Sequence, residues 1–272
     1  MRVKKSLGQH FLRSERALNK IIEAGKISPE DLILEIGPGR GVLTEKLLQT
    51  GAEVTAVEKD DELYEFLRDK FHKEISSGQL NLIHDDILDF DFKNYQLEPS
   101  TYKLVANIPY NITGAILEKF LSSEYQPESL VLLVQKEVAQ RIVAQNQKES
   151  ILSISVKAYG TPRYVETVRA GSFVPAPKVD SAIIKIDRIS KDFFQNTPKN
   201  NNLEVELPSE EKFFKLVKAG FQSKRKKLSS NLGVIFDKNR IKKTFEMLNL
   251  SENARAEEIS PEMWQKLAIS LL

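Results

Sequence analysis

Between residues 31 and 187, apolar runs of four or five residues alternate with longer stretches of helical period, and this rhythm constrains the fold more than any other feature. The runs at 32–36, 53–57, 80–83, 103–106 and 130–134 are too short for buried helices and read as strands. The stretch 42–49 is helical and ends near Gly51, where a left-handed residue can close a helix. A second helix is expected over 61–73, with Leu63, Phe66, Leu67 and Phe71 along one face. Strands and helices alternating in this way predict an α/β fold built on a parallel sheet. Two further extended runs, 163–169 and 181–186, flank Phe173-Val174-Pro175-Ala176-Pro177-Lys178, and the close prolines predict an antiparallel end to the sheet.

Past this region the composition changes. Residues 190–208 are rich in Asn, Lys and Pro and are expected to form a linker. From 209 to 272 the apolar residues recur at helical spacing, at Phe213, Phe214, Val217 and Phe221, then Leu228, Leu232, Ile241, Phe245 and Leu248, then Trp264, Leu267 and Leu271. The expected division is therefore an α/β domain over 1–189 with a basic N-terminal segment, a linker, and a small all-helical domain over 209–272. The formal net charge is only +2, but the charges are sorted along the chain. Residues 212–243 hold eleven Lys and Arg against Asp237, residues 1–16 hold five against Glu15, and the remainder carries a net −12. Such sorting is the electrostatic footprint of a nucleic acid or anionic surface partner.

The absence of cysteine excludes disulfides, thiolate metal sites and a cysteine nucleophile. His10, His72 and His84 lack metal-ligand spacing, so no metal is expected, and His72 and His84 read as surface residues. No apolar run approaches a membrane span and no apolar stretch follows Met1-Arg2-Val3-Lys4-Lys5, which predicts a soluble cytoplasmic protein without a membrane partner. No heptad seam is evident, and a monomer is expected.

The first strand runs into Gly37-Pro38-Gly39-Arg40-Gly41 and then a helix. Glycines there let a ligand approach the backbone, but the spacing is not that of the dinucleotide fingerprint, so no pyrophosphate site is matched. Glu58 closes the second strand 21 residues after Gly37, where a carboxylate can accept from both hydroxyls of a ribose. Asp85 and Asp86 close the third strand and offer an acceptor for an adenine amino group. Together these strand ends describe a nucleoside cofactor without phosphates, for which S-adenosylmethionine is the natural candidate.

The fourth strand ends in Asn107-Ile108-Pro109-Tyr110. Adenine N6 is a poor nucleophile because its lone pair is delocalised into the ring. Two carbonyl acceptors, the Asn107 side chain and the Ile108 main chain, favour a pyramidal nitrogen, while Pro109 fixes the turn and adds no competing N–H. Tyr110 is placed to stack on a base that has left its own stack. Phe173 is a candidate second wall of that sandwich, or else a core residue. Transfer governed by positioning and desolvation needs no strong base.

These residues resemble the bacterial small-subunit (16S) rRNA adenine N6,N6-dimethyltransferase family, the enzymes whose loss gives kasugamycin resistance. The resemblance covers nearly the whole chain: Leu7-Gly8-Gln9-His10-Phe11-Leu12, Glu35 to Gly41, Asn107 to Asn111, Gln135-Lys136-Glu137-Val138-Ala139, Pro175 to Ser181, Lys224-Arg225-Lys226 and Ala254-Arg255-Ala256-Glu257. It implies a Rossmann-like methyltransferase domain and a helical RNA- and ribosome-binding domain. It also implies dimethylation of two adjacent adenosines in the 3′-terminal hairpin loop of 16S rRNA within an immature 30S subunit, with a role in its biogenesis. The cofactor contacts it implies are His10, Leu12, Gly37, Glu58, Asp86 and Asn107; the catalytic set is Asn107, Tyr110 and Phe173. Lys224, Arg225 and Lys226 match a basic cluster suited to phosphate contacts.

Three positions depart from the family pattern. His10 stands where many members have Asn, Lys148 to Ser153 replaces a common Lys-x-Tyr-Gly-x-Leu-Ser, and Lys224 replaces a common Arg, keeping charge but losing the forked donor geometry. The active-site kit is shared with the 23S rRNA adenine methyltransferases of macrolide resistance, from which the C-terminal motifs and the run at 135–139 distinguish it. An assembly or binding factor could reuse the same fold, but the intact glycine turn, Glu58, Asp86 and Asn107 to Tyr110 argue against lost catalysis. A DNA adenine methyltransferase is disfavoured by the Asn-Ile-Pro-Tyr variant and the C-terminal match, both of which speak for RNA.

Overall fold

A computed structural model describes residues 9–95, 97–195 and 207–272. In chain order its elements are β1 (Phe11–Leu12), α1 (Glu15–Gly25), β2 (Leu32–Ile36), α2 (Val42–Gln49), β3 (Glu53–Glu58), α3 (Asp61–Lys70), α4 (His72–Ser76), β4 (Leu80–His84), β5 (Tyr102–Asn107), α5 (Thr113–Ser122), β6 (Ser129–Gln135) and α6 (Lys136–Val143). There follow α7 (Ile151–Lys157), β7 (Thr161–Val168), β8 (Phe173–Val174), β9 (Ser181–Asp187), α8 (Asp192–Gln195), α9 (Glu210–Gly220), α10 (Leu228–Leu232), α11 (Lys238–Met247) and α12 (Pro261–Leu271).

Seven strands form one sheet in the order β4-β3-β2-β5-β6-β9-β7. The first five are parallel, whereas β9 runs antiparallel to both β6 and β7. From β2 the chain steps outward through β3 and β4, then returns to place β5 on the other side of β2. The order reverses between β2 and β5, and a crevice opens there at the strands' carboxyl ends. Ile36 at the end of β2 pairs with Ala106 next to Asn107, so the glycine turn and the Asn-Ile-Pro-Tyr segment leave the sheet side by side.

The central strands are apolar because both faces are covered. Ile33, Leu34, Val105, Val131 and Leu132 are buried, and Leu18, Ile21 and Leu47 pack over one face of the sheet from α1 and α2. The helix expected over 61–73 is two helices meeting at Phe71, whose backbone (φ −107°, ψ 26°) leaves the helical region. This break lets the Phe71 ring pack into the glycine turn. A Cβ at Gly41, where φ is +71°, would lie 2.5 Å from that ring.

The chain divides into two compact units, one of Met1–Ala139 and Thr161–Ile189, the other of Gln140–Gly160 and Ser190–Leu272. A single cut at residue 189 is therefore corrected: residues 140–160 belong with the helices. The reason is packing, since Ile154 and Ala158 lie in the second core with Phe213, Leu232, Phe245 and Trp264. Part of the expected linker is also ordered. Phe193 and Phe194 in α8 place their rings 5.2 and 5.6 Å from that of Phe213. Residues 196–206 of that linker, and residues 1–8 of the basic N-terminal segment, lie outside the described residues.

Candidate active site

Each predicted cofactor residue lies on one cavity at the carboxyl end of the parallel strands. Its walls include His10, Leu12, Gly37, Glu58, Asp86 and Asn107, with Tyr110 beside them. Gly37 takes φ +62° and has open space where a side chain would stand, so the turn leaves room for a ligand against the backbone.

Glu58 is 6% exposed, and both its oxygens are anchored. Oε2 accepts from the Gly39 N–H at 3.0 Å and Oε1 from the Asp60 N–H at 2.9 Å. Each oxygen keeps a second acceptor site, which suits a pair of vicinal hydroxyls. Burial pushes the carboxyl above its ordinary value, and the two N–H donors oppose that rise. Asp86 is held the other way: burial disfavours its charge, but the Lys59 ammonium and the Leu88 N–H outweigh this and keep it below the usual carboxylate range. Asp85 lines the same cavity and accepts the Asp86 N–H at 2.7 Å.

Asn107 donates from Nδ2 to the His10 carbonyl at 3.2 Å. Because a carbonyl can only accept, this bond fixes which way the amide faces and leaves its oxygen for a donor in the cavity. The His10 carbonyl is held there by the pairing of β1 with β8, a two-stranded sheet that joins Leu12 to Phe173 and Phe11 to Val174. Two-residue strands carry no periodic signal, so the sequence did not announce this pairing. The His10 Nδ1 lies 2.7 Å from the Pro175 carbonyl, and the ring stacks 5.8 Å from Tyr110. That spacing is too small to admit a base between the two rings. Tyr110 is anchored at its hydroxyl, 2.7 Å from Ser181 Oγ.

Phe173 does not join this site in the structure. It is 2% exposed and packs in the core with Leu12, Val168 and Ile183, because β8 turns its side chain inward. The expected second wall of a base sandwich is corrected accordingly: Phe173 offers no ring face to the cavity in this conformation.

Glu35, which the sequence argument used only as part of the strand, emerges as a site residue. It lines the cavity, is 1% exposed, and its Oε2 has no hydrogen-bond partner. Burial, with the nearby Glu58 charge adding to it, pushes its carboxyl up to about 8. The Thr44 hydroxyl approaches and offsets the rise in part, without closing a hydrogen bond of good geometry. An acid inside an otherwise apolar strand was the available signal.

Lys224, Arg225 and Lys226 occupy the loop between α9 and α10, exposed and without ion-pair partners among the described residues. Beneath them the buried Asn231 side chain donates to the Gly220 carbonyl at 2.6 Å and the Ser223 carbonyl at 3.1 Å. Residues 148–153, where the chain departs from the family pattern, build the capped start of α7 through Ser150 and Ser153. Among the described residues there is no cluster of metal-ligating side chains and no helix long and apolar enough to cross a membrane.

Over residues 1–271 the chain matches the family described as ribosomal RNA adenine dimethylase. A ribosomal RNA small subunit methyltransferase A from Dehalococcoides mccartyi is 42% identical over 99% of this chain and 88% of its own length. Among solved structures, a dimethyladenosine transferase from Plasmodium falciparum superposes with a TM-score of 0.77 at 26% identity, covering 95% of this chain and 96% of that one. The 23S rRNA methyltransferase ErmE does so at 0.73, also at 26% identity, covering 96% and 99%. With the expected motifs gathered on one cavity and this match running through both units, the chain belongs to the ribosomal RNA adenine dimethylase family.

Proposed function

We propose that this chain dimethylates N6 of two adjacent adenosines in the 3′-terminal hairpin loop of 16S rRNA, acting on an immature 30S particle during its biogenesis. The observation that carries the proposal is the Asn107 amide, fixed by the His10 carbonyl on a cavity that also holds the doubly anchored Glu58.

These residues fit S-adenosylmethionine. Glu58 takes the ribose hydroxyls, Asp86 the adenine amino group, and the backbone at Gly37, with His10 and Leu12, packs against the remainder. Glu35, buried with an unpartnered oxygen, is the acid available to a cationic group. When bound, the cofactor supplies an electrophilic methyl on a sulfonium.

The chain's own residues prepare the acceptor. The Asn107 side-chain oxygen and the Ile108 carbonyl accept from the target amine and hold its lone pair out of conjugation. The gain comes from positioning in a site that excludes water, so no strong base is needed. Tyr110, held by Ser181, stacks on the flipped base through the ring face that His10 leaves open. Lys224, Arg225 and Lys226 make phosphate contacts that orient the enzyme without reading sequence. The chain works as a cytoplasmic monomer.

The 23S rRNA reading has the likeness to ErmE in its favour. The small-subunit reading has the 42% identical relative and the C-terminal motifs. The experiment that tests it is transfer of labelled methyl from S-adenosylmethionine to immature 30S particles, with 50S particles and DNA in parallel. Dimethyladenosine from 30S alone is expected. Product from 50S alone moves the substrate to the large subunit, and 30S binding without product leaves an assembly factor.

A further inference from the structure

A second cavity, of about 470 Å³, opens at the other end of the sheet, by the amino ends of β5 and β6. Four cations line it, Lys26, Arg163, Lys185 and Arg188, against two acids, Glu128 and Asp187. Nothing in the methyl-transfer chemistry uses them.

Their arrangement is electrostatically incomplete. Arg163 and Lys185 face each other directly across the β7–β9 pair, a position where like charges repel. Asp187 bridges both, at 2.9 Å from Lys185 and in contact with Arg163, but one carboxylate neutralises only one of them. Lys185 is 7% exposed, so its ammonium has little contact with bulk water and depends on its neighbours for polar partners. Arg188 and Lys26 stand exposed at the rim and have no acid partner among the described residues. The cavity therefore carries a net charge of +2.

The backbone here is also unusual. Of the six non-glycine residues with left-handed φ among the described residues, three line this cavity: Lys26 at 48°, Ser100 at 60° and Arg188 at 54°. Such conformations cost energy at residues other than glycine and persist where the surroundings enforce them. At Lys26 the left-handed turn is the C-cap of α1, and all three residues line the cavity.

We infer that this pocket holds a phosphate group of the RNA backbone, a second anchoring point on the methyltransferase unit about one strand length, roughly 20 Å, from the reaction mouth. The forked donors of Arg163 and Arg188 suit phosphate oxygens, and the buried Lys185 supplies the charge beneath them. RNA is the source favoured because the inference rests on the rRNA reading above, and a large folded RNA can reach both ends of the sheet.

The test uses the full chain with Arg188→Gln, which breaks no side-chain hydrogen bond or ion pair among the described residues, and the double variant Arg163→Gln with Arg188→Gln. Binding to immature 30S particles is followed across a salt series, with thermal midpoints checking the fold. The double variant is expected to bind about tenfold more weakly near physiological salt, with a log–log salt slope shallower by about one. Turnover at saturating particle and KM for S-adenosylmethionine stay unchanged. Folded variants with wild-type affinity and slope would overturn the proposal. Inorganic phosphate is titrated in parallel: if it raises the midpoint of wild type but not of Arg188→Gln while particle binding is unaltered, the pocket takes free phosphate and the RNA assignment falls. A wild type that makes no dimethyladenosine, yet loses slope on Arg188→Gln, overturns the rRNA-methylation reading and keeps the pocket.

Discussion

Asn107 and Glu35 lie on neighbouring strands, and their burial sets opposite tasks for them. Asn107 needs no change of charge; it needs its amide held one way round, which the His10 carbonyl achieves. Asn107→Ala is expected to lower methyl transfer by at least about a hundredfold, as loss of a preorganised polar group at a reacting centre does, while binding of 30S particles is kept. Product analysis beside a particle-binding assay checks both halves. Glu35 must change charge. With its carboxyl pushed up to about 8, the free folded chain holds a proton there that the unfolded chain releases near the ordinary 4.5. The contribution to stability is therefore full below about 4.5 and lost as pH rises towards 8. Glu35→Gln should remove that fall, so its thermal midpoint gains on wild type from pH 5 to pH 8. A cationic cofactor group favours the ionised carboxylate, so wild-type affinity for S-adenosylmethionine should rise over the same interval. The variant should bind more weakly and without that dependence; calorimetry at three pH values reads the difference. Spacing placed Glu58 and Asn107 in the site, but Glu35 was legible only as an oddity. Its isolation depends on neighbours from other parts of the chain.

Elements, more than single side chains, bring the site together. The strand rhythm located β2 to β6 within a residue or two at each end, because β2, β3, β5 and β6 are buried along most of their length and the edge strand β4 still turns Leu80 and Ile83 inward. It could not show β1 pairing with β8, and that pairing carries His10 to Asn107 and turns Phe173 into the core. The same holds in the second unit. Ala254-Arg255-Ala256-Glu257, a mark of the family resemblance, is largely a packing device: Ala254 and Ala256 are buried, and Glu257 bonds the 148–149 segment through its carbonyl and its carboxylate. By contrast, the Lys224 to Lys226 loop presents charge that nothing among the described residues neutralises, on a base fixed by Asn231. Changing Lys224, Arg225 and Lys226 to Ala should weaken particle binding and make its salt dependence shallower by about two to three, at little cost in thermal midpoint. Filter binding across a salt series measures the slope.

At the scale of the whole molecule the chain forms two compact units, and the second, like the first, is not contiguous in sequence. Ile154 and Ala158 reach its core from residues 140–160, before the last strands of the sheet are laid down. A fragment of residues 190–272 lacks that contribution, so it should be less helical than the same residues are in the full chain and should unfold less cooperatively. Circular dichroism through a thermal melt of fragment and full chain reads both properties. A fragment that melts cooperatively with its full helical content would contradict this. By itself the sequence determined the α/β class, the glycine turn, the acids at the strand ends, the Asn-Ile-Pro-Tyr segment and the basic helical region. These follow from local period and from residue chemistry, which act over a few neighbours in the chain. Only the tertiary structure decided that Phe173 faces the core, that Glu35 is stranded beside the cofactor cavity, that residues 140–160 join the helices, and that Arg163, Lys185 and Arg188 share a pocket with Lys26. Burial and long-range charge balance depend on which distant segments meet, and no local pattern in the chain encodes that meeting.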